Sequence, residues 1–501
     1  MTHLISLARA RLSPSVLCLV AGLVAIQASW ILVVPPFRGS DEHDHAYKAA
    51  AVARGDFGTT HRAVRGEWGE VVHVPADIVA AAGPVCESLR YTSDGNCGPM
   101  AQLGNGQVEV TSSAARYNPL FYAVIGTAAR PFSGGTALYA MRITGAVACT
   151  LVLGLAIHLR RRSSRGSWGL ACLVLALSPV MLYSTAVAAP NGLEMAAGAL
   201  TWVALLGLRS RRDLLDSHAF VVGATVGGVL LGFLRTLGPV WLVLIIAIAM
   251  LGTPRAHLRE LAHRRDLRIG ALLVALSSVF GVLWSIGAGT NAPTGSGSVS
   301  GSALPGLPLQ MVLWFLQSVA AFPLRNQPAP PTVYVIVLLA WSILFAAGLR
   351  TAKRGQRMMM AATIALALVV PMAITISSYQ QLGNAWQGRY GYPFSMGVII
   401  VCGFALDGRA ARAARAAEQR WWLPASVGVV VIVSELVSQL HVLATEGVSS
   451  PLAGTSEWVQ PSSLLVGLLT IAGGVLVGLS LRLRDTTTLQ GNQVATASIS
   501  R

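Results

Sequence analysis

The chain has 501 residues, 53% of them hydrophobic and only 12% charged, with a mean hydropathy of +0.60. Soluble domains carry about twice that charged fraction, so a soluble globular protein is excluded; the apolar residues come in long blocks, which indicates an all-α polytopic membrane protein whose core is the helix bundle itself. The formal charge of +16 is not a nucleic-acid footprint, because the arginines cluster in short tracts between apolar runs, the pattern of cytoplasmic loops.

The first apolar run, Ser15 to Val34, follows Arg9 and Arg11. It is long for a signal-peptide core and lacks a convincing cleavage site, so it reads as a retained anchor with its N-terminus inside. Pro35-Pro36 should stop that helix at the membrane surface. Directly after it comes Phe37-Arg38-Gly39-Ser40-Asp41-Glu42-His43-Asp44-His45-Ala46-Tyr47-Lys48. The polar segment 37–118 has slightly more acidic than basic residues and is expected to be the large first extracytoplasmic loop. It holds Cys86 and Cys97, and a disulfide there would close a short loop worth about 2–3 kcal/mol.

Asn118-Pro119 opens an apolar helix too short to span. Further spans are expected at about 137–159, 169–189, 194–208, 218–234, 239–251, 269–286, 333–349, 358–377, 392–406, 421–443 and 464–481, twelve in all with the first. Both ends lie inside, and Arg160–Arg162, Arg209–Arg212 and Arg350–Arg357 mark the inner side. The segment 287–332 is the second outer loop, Gly/Ser-rich at first, with an apolar helix at Leu309–Phe322 read as re-entrant or interfacial. The basic helix Pro254 to Arg268 is read as a topology signal, and the tail 486–501 is expected to be disordered and cytoplasmic. Residues 1–485 are thus one transmembrane domain in a plasma membrane.

Under this topology four clusters fall on the outer side: Asp41 to His45, Asn118, Arg235 between two short spans, and Gln387-Gly388-Arg389-Tyr390. Carboxylates beside arginines suit a lipid-linked phosphate substrate: a carboxylate can take the proton of a sugar hydroxyl, and an arginine can grip phosphate bidentately. Asp41 and Glu42 are the candidate catalytic pair. His45, Asn118, Arg235, Gln387, Arg389 and Tyr390 are candidate substrate or phosphate ligands. His45 lies four residues after Asp41, on the same helix face. Asp41, Asp44 and His45 also suit a divalent metal such as Mg or Mn, although no cofactor is required. His43 and Lys48 are read as solvated. Glu194 lies by an outer turn and is a further candidate. Glu435 and Arg142 fall inside spans, Glu435 read as making a bundle-internal hydrogen bond.

Two motifs carry a resemblance. Pro35-Pro36, Asp41-Glu42, His45 and the Ala-rich stretch to Gly55 resemble the opening of a bacterial, actinobacterial-type family of uncharacterised polytopic membrane proteins; Gln387-Gly388-Arg389-Tyr390-Gly391-Tyr392-Pro393 matches that family's later Gln-Gly-Arg-Tyr-x-x-Pro motif. Ala189-Pro190-Asn191-Gly192-Leu193-Glu194 departs from the Asn-Pro-Asp segment of many members. The family resembles the GT-C glycosyltransferases. That resemblance implies a GT-C-like bundle, a polyprenyl-phosphate-sugar donor, a cell-envelope acceptor, and Asp41, with Glu42 beside it, as catalytic base. The competing readings are a transporter or flippase of lipid-linked saccharide, which would use Glu435 and Arg142, and a non-catalytic envelope assembly protein.

Overall fold

The computed structural model describes residues 13–57, 69–89, 92, 94–98, 106–163, 166–210, 214–290, 302, 304–323, 327–412 and 422–483. The expected tail 486–501, most of the Gly/Ser-rich segment, and Arg9, Arg11, Arg415 and Arg420 lie outside these residues.

Helix α1 (Pro14–Val33) starts at Ser13, whose hydroxyl accepts from the Val16 N–H, with proline at the first helical position. It ends before Pro35-Pro36, and α2 (Glu42–Val52) begins directly after Asp41. The rest of the first loop folds as a small subdomain. Strands β1 (Glu70–Pro75) and β2 (Gln107–Ser112) pair antiparallel, with Glu70 opposite Ser112 and Pro75 opposite Gln107. Between them run α3 (Ala76–Glu87) and α4 (Asp94–Cys97), joined by a Cys86–Cys97 disulfide. The short α5 (Pro119–Ala129) packs on α2. Gly126 allows that approach, since a Cβ there would stand 2.0 Å from the Ala49 carbonyl oxygen.

The bundle continues with α6 (Gly134–Ser163), α7 (Trp168–Leu175), α8 (Pro179–Thr185), α9 (Asn191–Ser210), α10 (Leu214–Leu234) and α11 (Gly238–Ala249). Next come α12 (Arg255–His263), α13 (Arg265–Gly287), α14 (Leu307–Val319), α15 (Pro331–Thr351) and α16 (Arg354–Leu382). It closes with α17 (Gly388–Ser395), α18 (Gly397–Arg412), α19 (Trp422–Ser449) and α20 (Ser463–Arg482). Helix α9 is the centre, with 94% of its apolar window buried, whereas α13 shows 11% and faces outward. Ten helices among the described residues are long and apolar enough to cross a membrane, or eleven with α7 and α8 taken as one bent span.

Each of the twelve expected spans has a helix at its place, but two are not plain spans. The third is broken: α7 and α8 meet at 71°, because Pro179 has no N–H to offer and Ser178 before it is extended, at φ −62° and ψ 160°. The sixth, α11, has only 12 residues; at about 1.5 Å rise per residue it falls well short of the roughly 30 Å hydrocarbon core. His43 and Lys48, expected in water, are both buried. The reason is that α2 is covered by α5 and the hairpin, and the Lys48 ammonium donates to the carbonyls of Phe57 and Ala115 at 2.5 and 2.6 Å. Burial pulls Lys48 down to about 8, with Asp56 and Glu70 opposing the shift.

Several polar groups inside the bundle find partners, as a low dielectric favours, although Gln439 Nε2 has none among the described residues. Gln439 Oε1 accepts from Ser29 and Thr470. Glu435 accepts from the Trp30 indole N–H at 2.7 Å.

Candidate functional site at one end of the bundle

The turn after Pro36 sets the site. Phe37 and Asp41 are the two non-glycine residues with positive φ among the described residues, at 62° and 56°. Aspartate tolerates this left-handed conformation better than most residues. The turn is held from several sides. The Ser40 N–H donates to the Tyr183 hydroxyl at 3.1 Å, and both the Ser40 and Tyr183 hydroxyls donate to the Pro323 carbonyl, at 2.8 and 2.7 Å. Arg38 pairs with buried Glu446 near the end of α19.

Glu42 is not part of an open site. Arg142 forks onto both its carboxylate oxygens, at 2.7 and 2.5 Å. The backbone N–H groups of Gly39 and Ala188 complete the set at 3.1 and 3.0 Å. Arg142 spends its remaining donors on the carbonyls of Ile31, Val34 and Pro35, which the end of α1 leaves without helical partners. Both side chains are fully buried. The pair therefore welds α6 to the Asp41 turn; a carboxylate saturated in this way has no room to serve as the second member of a catalytic pair. Arg142, ambiguous in the sequence, is structural.

Asp41 points elsewhere. Its carboxylate lies 3.0 Å from the Arg389 guanidinium, and both side chains are mostly buried. Arg389 is brought there by the first turn of α17, which sits against α14. Gly388 makes that contact possible, because a Cβ there would lie 1.9 Å from the Trp314 carbonyl oxygen. Arg235, between α10 and α11, lies over the rings of Tyr390 at 4.8 Å and Tyr117 at 5.4 Å. It donates to the Asn191 side chain and stands 3.9 Å from Glu194. These contacts hold Arg235 beside the group, while Arg389 keeps a buried Nε without a partner among the described residues.

His45 stacks between Tyr117 and Tyr122, with centroids at 6.0 and 5.9 Å, and its Nδ1 lies 2.8 Å from the Tyr122 hydroxyl. Burial pulls its imidazole down to about 3; Asp41 opposes the shift and Arg235 and Arg389 add to it. The ring is neutral at physiological pH. Burial likewise holds the Tyr117 and Tyr122 phenols above their usual range.

Asp44 is not brought into the group. Its carboxylate accepts from the Ser113 N–H and hydroxyl at 2.8 and 2.7 Å, tying α2 to the end of β2. Among the described residues no three His, Cys, Asp or Glu side chains converge in a way that could hold a metal, so Asp41, Asp44 and His45 do not fit one. Asn118 caps α5 through Oδ1, which accepts from Leu120 N–H at 3.0 Å. Three buried polar atoms on the expected ligands have no hydrogen-bond partner among the described residues: Asn118 Nδ2, Gln387 Oε1 and Arg389 Nε. Leaving such an atom unpaired costs about 1–3 kcal/mol, which a bound molecule would offset. Tyr117, Tyr122 and Asn191 were not candidates in the sequence; Tyr117 carried one signal, its place next to Asn118.

Residues 24–398 match the family described as predicted membrane protein (DUF2142). Two solved structures are similar in their helix arrangement: crystal structures of ArnT from Cupriavidus metallidurans, bound to undecaprenyl phosphate and in the apo state. The TM-scores are 0.45 and 0.44 at 14% identity, covering 93% of this chain and 77% and 76% of theirs. No curated protein matches the chain. The match spans both sequence motifs and most of the bundle, and the chain belongs to the DUF2142 family of membrane proteins.

Proposed function

We propose that this protein is a membrane-embedded inverting glycosyltransferase that moves a sugar from a polyprenyl-phosphate donor to a cell-envelope glycan or glycolipid on the extracytoplasmic face. The observation that carries this reading is the Asp41–Arg389 pair at 3.0 Å with Arg389 Nε and Gln387 Oε1 still unpartnered beside it. A base and an anion-binding donor stand next to each other with hydrogen-bonding capacity in reserve. The Asp41-Glu42 and Gln387-Gly388-Arg389-Tyr390 motifs resemble those of a family that in turn resembles the GT-C glycosyltransferases, which points the same way.

In this reading the donor phosphate competes with Asp41 for the Arg389 guanidinium. Phosphate binding draws Arg389 away, and the Asp41 carboxylate then accepts a proton. Asp41 takes the proton of the acceptor hydroxyl as that oxygen bonds to the anomeric carbon. The bond from that carbon to the phosphate oxygen breaks, and the phosphate leaves with its electron pair, its charge met by Arg389. Glu42 and Arg142 hold the turn in place and take no proton. No metal enters the scheme.

The test compares wild type with Asp41→Asn and Arg389→Lys, each purified at equal yield and given radiolabelled polyprenyl-phosphate sugars and envelope acceptors. Asp41→Asn should lower transfer by about 10²–10⁴-fold, the span of general acid–base catalysis. Arg389→Lys, which loses the planar fork, should lower it by about 10²-fold or more. Transfer by Asp41→Asn at the wild-type rate would remove Asp41 from the chemistry. Translocation of lipid-linked sugar in liposomes without transfer would favour the flippase reading instead.

A further inference from the structure

A second polar site lies inside the membrane part of the bundle, apart from the Asp41 group. The break between α7 and α8 meets α15 and α19 around a cavity of about 20 Å³. That is room for one water-sized occupant. Glu435 lines it together with Ser434, Ser178 and Trp341 in an otherwise apolar wall. Glu435, Ser434 and Ser178 are all buried.

The protons of this lining are spent elsewhere. The Ser178 hydroxyl donates to the Ser318 carbonyl at 3.0 Å, and the Ser434 hydroxyl to the Val431 carbonyl at 3.3 Å. The Trp341 indole N–H donates to the Leu175 carbonyl at 2.8 Å. What remains for the cavity is two hydroxyl lone pairs and a carboxylate whose partner is one neutral indole N–H, that of Trp30. With Glu435 ionised, such a lining is acceptor-only and matches a cation. The neighbouring elements supply no compensating charge: α1 contributes Trp30, α8 contributes Tyr183 against the Trp30 ring at 5.4 Å, α15 contributes Trp341, α17 contributes Tyr392 stacked on Trp341 and hydrogen-bonded to Ser178, and α20 contributes Thr470 through Gln439. A lone carboxylate in the bilayer interior is costly and marks an ion or proton site. Broken membrane helices form such sites, because the break frees backbone and side-chain oxygens.

We propose that this cavity binds one sodium ion on Glu435 with the hydroxyl oxygens of Ser178 and Ser434. A single carboxylate does not balance a divalent ion, and the volume excludes a lipid headgroup. The occupant sits beneath the Asp41 turn. Trp30 joins Glu435 to Tyr183, and the Tyr183 hydroxyl accepts from the Ser40 N–H. Occupancy therefore braces the turn from below. The site stands whether or not the protein transfers sugar.

The test uses the full chain in neutral-lipid nanodiscs and follows thermal unfolding. In one arm sodium chloride replaces choline chloride at constant pH and ionic strength; in the other, pH is lowered in choline chloride alone. Each arm is read as the difference between wild type and Glu435→Gln, so that other titrating groups cancel. A midpoint that rises by several degrees on adding sodium in wild type and not in E435Q supports the site. A rise in the sodium arm supports the site, and a rise in the acid arm alone is Glu435 taking up a proton with no ion bound and overturns it. Ser178→Ala keeps the carboxylate and removes one oxygen, so its response should be weaker than that of wild type; it serves alone if E435Q does not fold. Responses equal in wild type and both variants, or absent in wild type, overturn the proposal.

Discussion

Asp41 and Glu42 are adjacent, yet their surroundings divide them. Asp41 sits in a left-handed turn facing Arg389, while Glu42 is wrapped by Arg142 and two backbone N–H groups. Breaking a buried pair leaves an uncompensated charge. Arg142→Met should therefore destabilise the protein by about 3–5 kcal/mol, and Arg142→Met with Glu42→Leu should recover most of that loss. Thermal unfolding of the two variants in detergent decides it; equal loss in both would mean that the pair does not govern the turn. His45 gives a pH signature. Its imidazole is held at about 3 in the folded protein against an ordinary value of 6.5. The unfolded chain then binds the extra proton between those values, so stability is full above pH 6.5 and falls as pH drops through that window. His45→Gln should flatten this part of the stability curve measured by denaturation against pH.

At the scale of elements, helix ends do most of the placing. Pro35-Pro36 end α1, Asn118 caps α5, the Gly388 contact seats α17, and Ser178-Pro179 break the third span. The hairpin subdomain, by contrast, has few helices to lean on and is tied by Cys86–Cys97. Replacing both cysteines with serine should cost the subdomain about 2–3 kcal/mol, from the loop entropy returned to the unfolded chain. Hydrogen exchange should then quicken in β1, β2 and α3 and stay unchanged in α9. Faster exchange throughout the bundle would show that the subdomain does not unfold as a separate unit.

Over the whole molecule the two ends of the bundle are chemically distinct. One holds Asp41, His45, Arg235 and Arg389. At the other, Arg160 pairs with Asp407 and lies over the Phe404 ring at 4.2 Å, next to the arginine tract that closes α6. Arginine tracts stay on the cytoplasmic side. A phosphatase reporter fused to the C-terminus should accordingly be inactive, and one inserted in the segment 58–68 active. The reverse pattern would place the Asp41 end in the cytoplasm and remove the extracytoplasmic reading of the reaction.

The apolar runs were legible in the sequence because crossing a membrane is a local property: about 20 consecutive apolar residues suffice, whatever they pack against. Alternation of spans then put Asp41, Asn118, Arg235 and Arg389 at one end, and the structure has them there, with Tyr117 beside Asn118 completing the group. Partnership was not legible. Arg142 lies 100 residues from Glu42, and Glu446 lies 408 from Arg38. Nothing in the local chain says which carboxylate a buried arginine will saturate. The packed bundle alone decided that Glu42 and Asp44 are held, that His43 and Lys48 are covered, and that Arg235 lies against Asn191, Tyr117 and Tyr390. A charge inside a low dielectric is defined by the neighbours that compensate it, and those neighbours come from helices distant in sequence.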